Sequence, residues 1–416
     1  MLCKVTRCWA IFRTIAIAIV TVSFPVHAQQ SKWSMVKSGI DNLLDLRLEP
    51  LRGKRIAFVC NDGSRTRFQR DVLNELAKNQ NLELVAVLLA GPSSTKRSEL
   101  SQPIPTYVLA AGNRRPTKAM LNGCDAVVID LQDYGLRPTI TLMTLFNVLD
   151  ASAEFGIDVY VLDRPNPLGG VVVDGVLPTA QSERGGFTIV PIPYLHGMTI
   201  GELALMINSE GWLLPDPLTR QPRKCKLHVV KMRRWRRTMT WDTLQWDWVA
   251  TSPNVPSSNA LKGMVLLGLL GELQAVSVGI GTEKPFQLIG APDFSDDVIK
   301  SLQTFFAQYG IVTTKASFVP EHGLYAGMFC RGICIEFPSN LQLPYYTLTI
   351  KLLDTLAVLY PALRDSLLKP HYRHRLMQIT GDSRFGITSF ACEHTLEQRV
   401  ALEEFCMRRQ RYLLYP

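Results

Sequence analysis

The chain has 416 residues, of which 47% are hydrophobic and 19% are charged, and its formal net charge is +9 at pH 7. This apolar content is too high for a disordered chain, and the sequence contains no repeat or low-complexity tract. Disordered, repeat and low-complexity proteins are therefore excluded.

Residues 1–28 have the pattern of a secretory signal peptide. Lys4, Arg7 and Arg13 lie before and at the edge of an apolar run over residues 14–26, and the small residue Ala28 follows at a position suited to cleavage. The run is shorter than the ~20 residues that a membrane-spanning helix needs. We therefore expect an exported, periplasmic or extracellular protein with no stable membrane span after cleavage. The alternative is that this segment remains as an N-terminal anchor.

Short apolar runs alternate with helical spacing in the first half of the chain. The apolar runs cover residues 55–60, 84–89, 125–130 and 157–162, and the helical segments cover residues 68–76 and 142–155. Apolar runs without polar alternation are typical of strands buried on both faces, as in a parallel sheet. The order of these elements predicts an α/β fold, with a Rossmann-like, doubly wound parallel sheet over residues 29–256.

The second half of the chain is mixed. Thr199 and Glu202 have the spacing of a capping box, which predicts a helix start at this point. Further on, strands and helices no longer alternate. The apolar runs lie at residues 276–278, 333–337 and 348–359, and the helical segments at residues 296–309 and 395–414. We predict a smaller α+β ancillary domain over residues 257–416, with the boundary near Pro256.

Polar clusters follow two of the predicted strands. They are Asp130–Gly135 and Asp163–Pro167. Ligands of open parallel sheets bind beyond the carboxyl ends of the strands, so these carboxylates are candidates for catalysis. The alternative is that they cap turns and helices. His196 precedes the predicted helix start and is either a general acid or a hydrogen-bond donor to a substrate, or a buried loop histidine.

The sequence indicates neither a cofactor nor a metal. Gly279-Ile-Gly281 lacks the third glycine of a dinucleotide site, and no phosphate loop or G-x-S-x-G motif occurs. His371 and His374 have no further ligand at metal spacing.

A dense basic block occurs at Lys231-Met-Arg-Arg-Trp-Arg-Arg237. It is either a solvated edge or a surface for nucleic acid, an anionic wall polymer or a membrane. Export makes nucleic acid the least suitable of these, so no nucleic-acid partner is expected.

The motifs, taken in chain order, resemble the NamZ-type exo-β-N-acetylmuramidases of peptidoglycan turnover. The matching blocks are Asp130-Leu-Gln-Asp133-x-Gly135-x-Arg137, Val161-Leu-Asp-Arg-Pro-Asn-Pro-Leu-Gly-Gly170, Leu195-His-Gly-Met-Thr-Ile-Gly-Glu-Leu-Ala204, Ser252-Pro-Asn-Val-Pro256, Ser277-Val-Gly-Ile-Gly-Thr282, Lys284-Pro-Phe286, Ile289-Gly-Ala-Pro292 and Tyr412-Leu-Leu-Tyr415. The resemblance implies a Rossmann-like catalytic domain, an ancillary domain and release of N-acetylmuramic acid from the non-reducing ends of muramyl glycans.

The resemblance and the sheet edge together select the candidate site. The catalytic candidates are Asp133, Asp163 and His196, and the substrate-binding candidates are Asp130, Arg137, Arg164, Asn166, Asn254 and Thr282.

The sequence also departs from the family pattern. The second strand of the family usually leads into Ser-Pro-Glu-His-Gly, whose Glu is the favoured catalytic acid, whereas residues 88–95 here contain no carboxylate. Ile280 replaces an Arg of the family and Gln287 replaces a Glu. Glycoside cleavage needs a proton donor to the leaving oxygen. Either another carboxylate replaces the Glu, with weakened activity, or the chain is a non-catalytic descendant that binds muramyl glycans or a protein partner.

Overall fold

The larger of two sheets contains six strands in this computed structural model, which describes residues 36–91, 104–110, 112–178, 186–386 and 395–416. The strands are β1 (Arg55–Cys60), β2 (Glu83–Ala90), β3 (Thr106–Leu109), β4 (Ala126–Asp130), β5 (Asp158–Leu162) and β6 (Leu227–Val230). All are parallel, in the order β3-β2-β1-β4-β5-β6. The strand order reverses between β1 and β4, where doubly wound sheets bind their ligands. The predicted Rossmann-like sheet is therefore confirmed.

Five helices accompany this sheet in the described part of the chain before residue 258. They are α1 (Gly39–Asp45), α2 (Val72–Ala77), α3 (Ile140–Phe155), α4 (Ile200–Ser209) and α5 (Trp241–Leu244). The predicted capping box is present, because the Thr199 hydroxyl accepts from the Glu202 N–H and the Glu202 carboxylate accepts from the Thr199 N–H. The helical spacing from residue 68 begins too early, since the Asp71 carboxylate caps α2.

The second lobe contains a small antiparallel sheet and a group of helices. Its strands are β7 (Leu288–Ala291), β8 (Val312–Phe318) and β9 (Cys330–Glu336), in the order β7-β9-β8. The helices are α6 (Ser258–Glu272), α7 (Asp296–Ala307), α8 (Tyr345–Leu359), α9 (Pro361–Leu368), α10 (Pro370–Thr380) and α11 (Leu396–Arg409). This confirms the predicted α+β character. The apolar run at residues 276–278 forms only an isolated bridge, between Ser277 and Gly290.

The described ranges contain no helix that is both long enough and apolar enough to cross a membrane. Most of the apolar side chains of α6 and α8 lie in the core of the second lobe, together with those of β7 and β9. The core of the first lobe lies on both faces of the large sheet, as its uninterrupted apolar strands require.

Two glycines of α6 have opposite environments. A Cβ atom at Gly263 would lie 1.8 Å from the carbonyl oxygen of Phe286, in the loop before β7. A Cβ atom at Gly268 would have no neighbour within 4 Å. The close approach of α6 to this loop therefore depends on the glycine at position 263.

We expect Gly263→Ala to destabilise the protein and Gly268→Ala to stabilise it. The first change forces apart two backbone segments, at a cost of about 1–3 kcal/mol or more. The second removes the entropic penalty of an unneeded helix glycine and gains up to about 1 kcal/mol. Urea denaturation of the two variants measures both effects. Equal midpoints would contradict the packing seen at α6.

Candidate active site

A buried ion pair joins the carboxyl ends of β4 and β5. Asp130 is the last residue of β4, and its two carboxylate oxygens accept from Nε and Nη2 of Arg164 at 2.6 and 2.7 Å. Burial raises the pKa of Asp130, and the guanidinium opposes that rise. Arg164 also donates to the carbonyl oxygen of Arg65 at 2.9 Å. Two-point contact fixes the relative orientation of the two strand ends.

Asp163, directly after β5, is fully buried and has four hydrogen-bond donors around its carboxyl group. It accepts from the next backbone N–H at 3.0 Å, the Gly201 N–H at 2.7 Å, the Thr199 hydroxyl at 2.8 Å and the Tyr415 hydroxyl at 2.5 Å. Burial, and after it the negative charge of Glu202, raise the pKa of Asp163 to about 7. The carboxyl group therefore caps α4 and binds the C-terminal tail.

The residues after α11 return to the large sheet through contacts that the sequence analysis did not identify. Glu202 accepts from the Leu414 N–H at 2.7 Å and from the guanidinium of Arg237. The Tyr412 hydroxyl donates to Glu210 at 2.6 Å. The sequence motif Tyr412-Leu-Leu-Tyr415 indicates that these residues matter, but only the folded chain shows which residues they contact.

Asp133 and His196 face each other in a buried pair. The Nδ1 atom of His196 accepts from the Met198 N–H at 3.1 Å, so the proton is assigned to Nε2. That Nε2 atom lies 3.6 Å from Oδ2 of Asp133. Asp133 is held in turn by the Gly135 N–H at 2.8 Å and the Thr139 hydroxyl at 3.2 Å. At this distance the two side chains face each other without a hydrogen bond, and Nε2 of His196 is a buried polar atom with no partner among the described residues.

Asn166 holds the two loops of this pair together. Its Nδ2 atom donates to the Met198 carbonyl at 3.0 Å, and its Oδ1 atom accepts from the Leu168 N–H at 3.0 Å. A Cβ atom on Gly135 would lie 2.3 Å from Asn166 Oδ1, so only glycine permits this approach. Asn166 therefore positions the loop that carries His196.

Three further candidates make other contacts. Arg137 is 1% exposed, and its guanidinium donates to the backbone carbonyls of Val176, Phe187, Ile192, Ile379 and Thr380. Burial lowers the pKa of Arg137 to about 10. Asn254 is half-buried in the segment before α6. The Thr282 hydroxyl donates at 2.7 Å to the Gly279 carbonyl, within a turn of the second lobe.

The structure therefore brings six of the nine candidates into one cluster at the carboxyl edge of the sheet. They are Asp130, Asp133, Asp163, Arg164, Asn166 and His196, and each is at most 5% exposed. They form a buried network at this edge. Residues 92–95 of the stretch that replaces the Ser-Pro-Glu-His-Gly motif lie outside the described residues.

The switch point of the sheet has a small cavity of about 10 Å³, lined in part by Asn61, Asp62 and Arg65. This space suits about one water molecule rather than a sugar. Among the residues that the structure describes, no three His, Cys, Asp or Glu side chains are grouped as ligands of a metal ion.

Comparisons with known proteins identify relatives along the described chain. The family models described as exo-β-N-acetylmuramidase NamZ, N-terminal and C-terminal, match residues 56–259 and 263–415. The peptidoglycan β-N-acetylmuramidase NamZ of Bacillus subtilis (strain 168) is 32% identical over 346 residues, which cover 80% of each chain.

Two solved structures have a similar fold. A crystal structure of a DUF1343 family protein of Bacteroides fragilis NCTC 9343 superposes with a TM-score of 0.81 at 25% identity, covering 92% of this chain and all of the other. A second DUF1343 protein of the same organism gives a TM-score of 0.71 at 26% identity, covering 92% and 99%.

The raised pKa of Asp163 predicts a pH dependence of stability. Between the unfolded value near pH 4 and the folded value of about 7, the native state binds more protons than the unfolded state. The free energy of unfolding should therefore fall as the pH rises through this window. Asp163→Asn removes the titrating proton and keeps one oxygen that can accept from the Arg164 and Gly201 N–H groups.

We expect the free energy of unfolding of Asp163→Asn to decrease less steeply with pH than that of the wild type, by up to about 1.4 kcal/mol per pH unit. Denaturation curves of the wild type and the variant across this pH range test it. Asp296→Asn, at a side chain that is 68% exposed, serves as the control and should leave the slope unchanged. An identical slope in the Asp163 variant would contradict the assignment.

Proposed function

The chain belongs to the NamZ family of exo-β-N-acetylmuramidases, and on this basis we propose that it is an exported glycoside hydrolase acting on peptidoglycan-derived muramyl glycans, with weakened activity. The name of the Bacillus subtilis relative supports the substrate class, since that protein is a peptidoglycan β-N-acetylmuramidase. Matches to both family models support a shared architecture around the site.

The facing pair of Asp133 and His196 is the observation that carries the proposal. Its two side chains lie 3.6 Å apart at the carboxyl edge of a doubly wound sheet. In the proposed reaction the glycosidic C–O bond breaks as Asp133 supplies a proton to the departing oxygen and water adds to the anomeric carbon, while the buried His196 N–H faces the Asp133 carboxyl group. Arg164 joins the ends of β4 and β5, and Asn166 positions the loop that carries His196.

The expected loss of rate has a geometric cause. An Asp side chain is one methylene shorter than Glu, and Asp133 begins at a different strand from the Glu of the family motif. A catalytic group misplaced by about 1 Å can lose about 10²-fold in rate. Turnover should therefore be far below that of a relative with the complete motif.

A non-catalytic, glycan-binding function is the second candidate. Asp130 is neutralised by Arg164, and Asp163 is engaged by four donors, so both carboxyl groups already serve the fold. If Asp133 does not reach the glycosidic oxygen, the same cluster would support recognition without cleavage. Binding of a muramyl glycan with no turnover would favour this function.

We expect Asp133→Asn to abolish residual turnover and His196→Ala mainly to weaken glycan binding. The first change removes the proton donor, while the second removes the imidazole that faces Asp133 and its hydrogen bond with the Met198 N–H in the loop before α4. The assay uses a chromogenic N-acetylmuramic acid glycoside, with kcat and KM measured separately. Asp296→Asn makes the same chemical change at an exposed side chain of the second lobe, away from this cluster, and serves as the control.

Two results would contradict this assignment. Turnover at the level of a complete family member would mean that another group replaces the missing Glu. Undetectable glycan binding by the wild-type protein would contradict both the catalytic and the non-catalytic function.

We also propose that residues 1–28 are removed on export. The order of cations, apolar run and small residue supports this. N-terminal sequencing of the protein recovered from the cell envelope or medium should give Gln29 as the first residue. A sequence beginning at Met1 would refute cleavage.

A further inference from the structure

A strongly basic surface follows β6 at the edge of the large sheet. It consists of the exposed side chains of Lys231, Arg233, Arg234 and Arg236. Within the described ranges, no carboxylate forms an ion pair with Lys231, Arg233 or Arg236, unlike the following Arg237, which pairs with Glu202. The backbone N–H of Arg237 donates to the Pro416 carbonyl oxygen at 2.9 Å.

The backbone of this basic surface is held rigidly by the residues between the cations. Met232 and Trp235 are 5% and 1% exposed and belong to one apolar cluster. The Trp235 ring packs edge-on against Tyr415, with the ring centroids 5.3 Å apart. Buried anchors thus fix the segment and direct the charged side chains to solvent, so binding an anion would not require the backbone to become ordered.

The basic surface also lies beside the first described residues. Lys37 and Arg233 form an antiparallel bridge through two backbone hydrogen bonds, of 3.0 and 2.9 Å. The apolar run of residues 14–26 therefore precedes this bridge by only eleven residues in the sequence. Until the leader is removed on the proposed export, only this short stretch of sequence separates the apolar run from the backbone that pairs with Arg233.

We propose that the basic surface of Lys231, Arg233, Arg234 and Arg236 binds the anionic headgroups of a phospholipid bilayer. Clusters of Lys and Arg near a membrane-directed segment are attracted to anionic lipids. Single-stranded nucleic acid is a poorer partner, because it binds through stacking on exposed aromatic rings. The Trp of the basic block is buried, as is Trp241 after it. This function is independent of glycan cleavage.

The test is sedimentation of the full chain with vesicles of phosphatidylcholine, with and without phosphatidylglycerol. The variant combines Lys231→Gln, Arg233→Gln and Arg236→Gln. The control makes the same charge change in the second lobe, with Lys300→Gln, Lys351→Gln and Lys369→Gln, all at exposed positions. We expect the variant to lose about 100-fold in binding to the anionic vesicles. The control should bind them nearly as the wild type does.

Three outcomes would overturn the proposal. The first is that wild type and variant bind the anionic vesicles equally well. The second is that the control loses as much binding as the variant. The third is that soluble polyphosphate displaces the wild type at phosphate concentrations far below the lipid concentration. The last would assign the surface to a soluble polyanion. Turnover of the chromogenic glycoside, measured on the same samples, should be equal in wild type and variant, which separates this test from that of the catalytic proposal.

Discussion

The buried carboxyl group of Asp163 connects three parts of the molecule that are distant in sequence. It follows β5, caps the start of α4 through the Gly201 N–H, and accepts the hydroxyl of Tyr415 from the last residues of the chain. A Cβ atom on Gly201 would lie 2.7 Å from the Asp163 carboxyl carbon, so the contact also restricts its neighbour to glycine. Because a buried carboxyl group without partners is costly, each of these donors lowers the free-energy cost of burying Asp163 at the sheet edge.

The same dependence on buried polar partners joins the two lobes. Arg137 follows β4, yet its guanidinium reaches the carbonyls of Ile379 and Thr380 at the end of α10. Asp174 bonds Thr347 in α8 at 2.6 and 2.9 Å. Breaking such contacts leaves a charge or a carbonyl group buried without a partner, which costs more than the net value of the bond. The ancillary lobe therefore contributes to the structure of the sheet edge.

This arrangement explains how the family motifs can persist where the favoured catalytic Glu is absent. Asp130, Asp163 and Arg164 satisfy one another and the backbone, so their replacement would damage folding regardless of catalysis. Asp133 differs, since part of its hydrogen-bonding capacity is directed toward the His196 N–H at 3.6 Å. A motif can thus be retained for the scaffold while the chemistry depends on one further carboxyl group.

The sequence by itself determined the fold class, because uninterrupted apolar runs such as Arg55–Cys60 and Ala126–Asp130 can be buried only as central parallel strands. It also determined the start of α4, since the capping box at Thr199 is a local interaction. It did not reveal β3, β6, β7 or β8, whose pairing depends on neighbouring strands, and the first three of these are only four residues long. Only the tertiary structure decided which carboxylates are engaged. Charge and spacing place Asp133 and Asp163 at the same sheet edge, but the hydroxyl that occupies Asp163 comes from a residue 252 positions away.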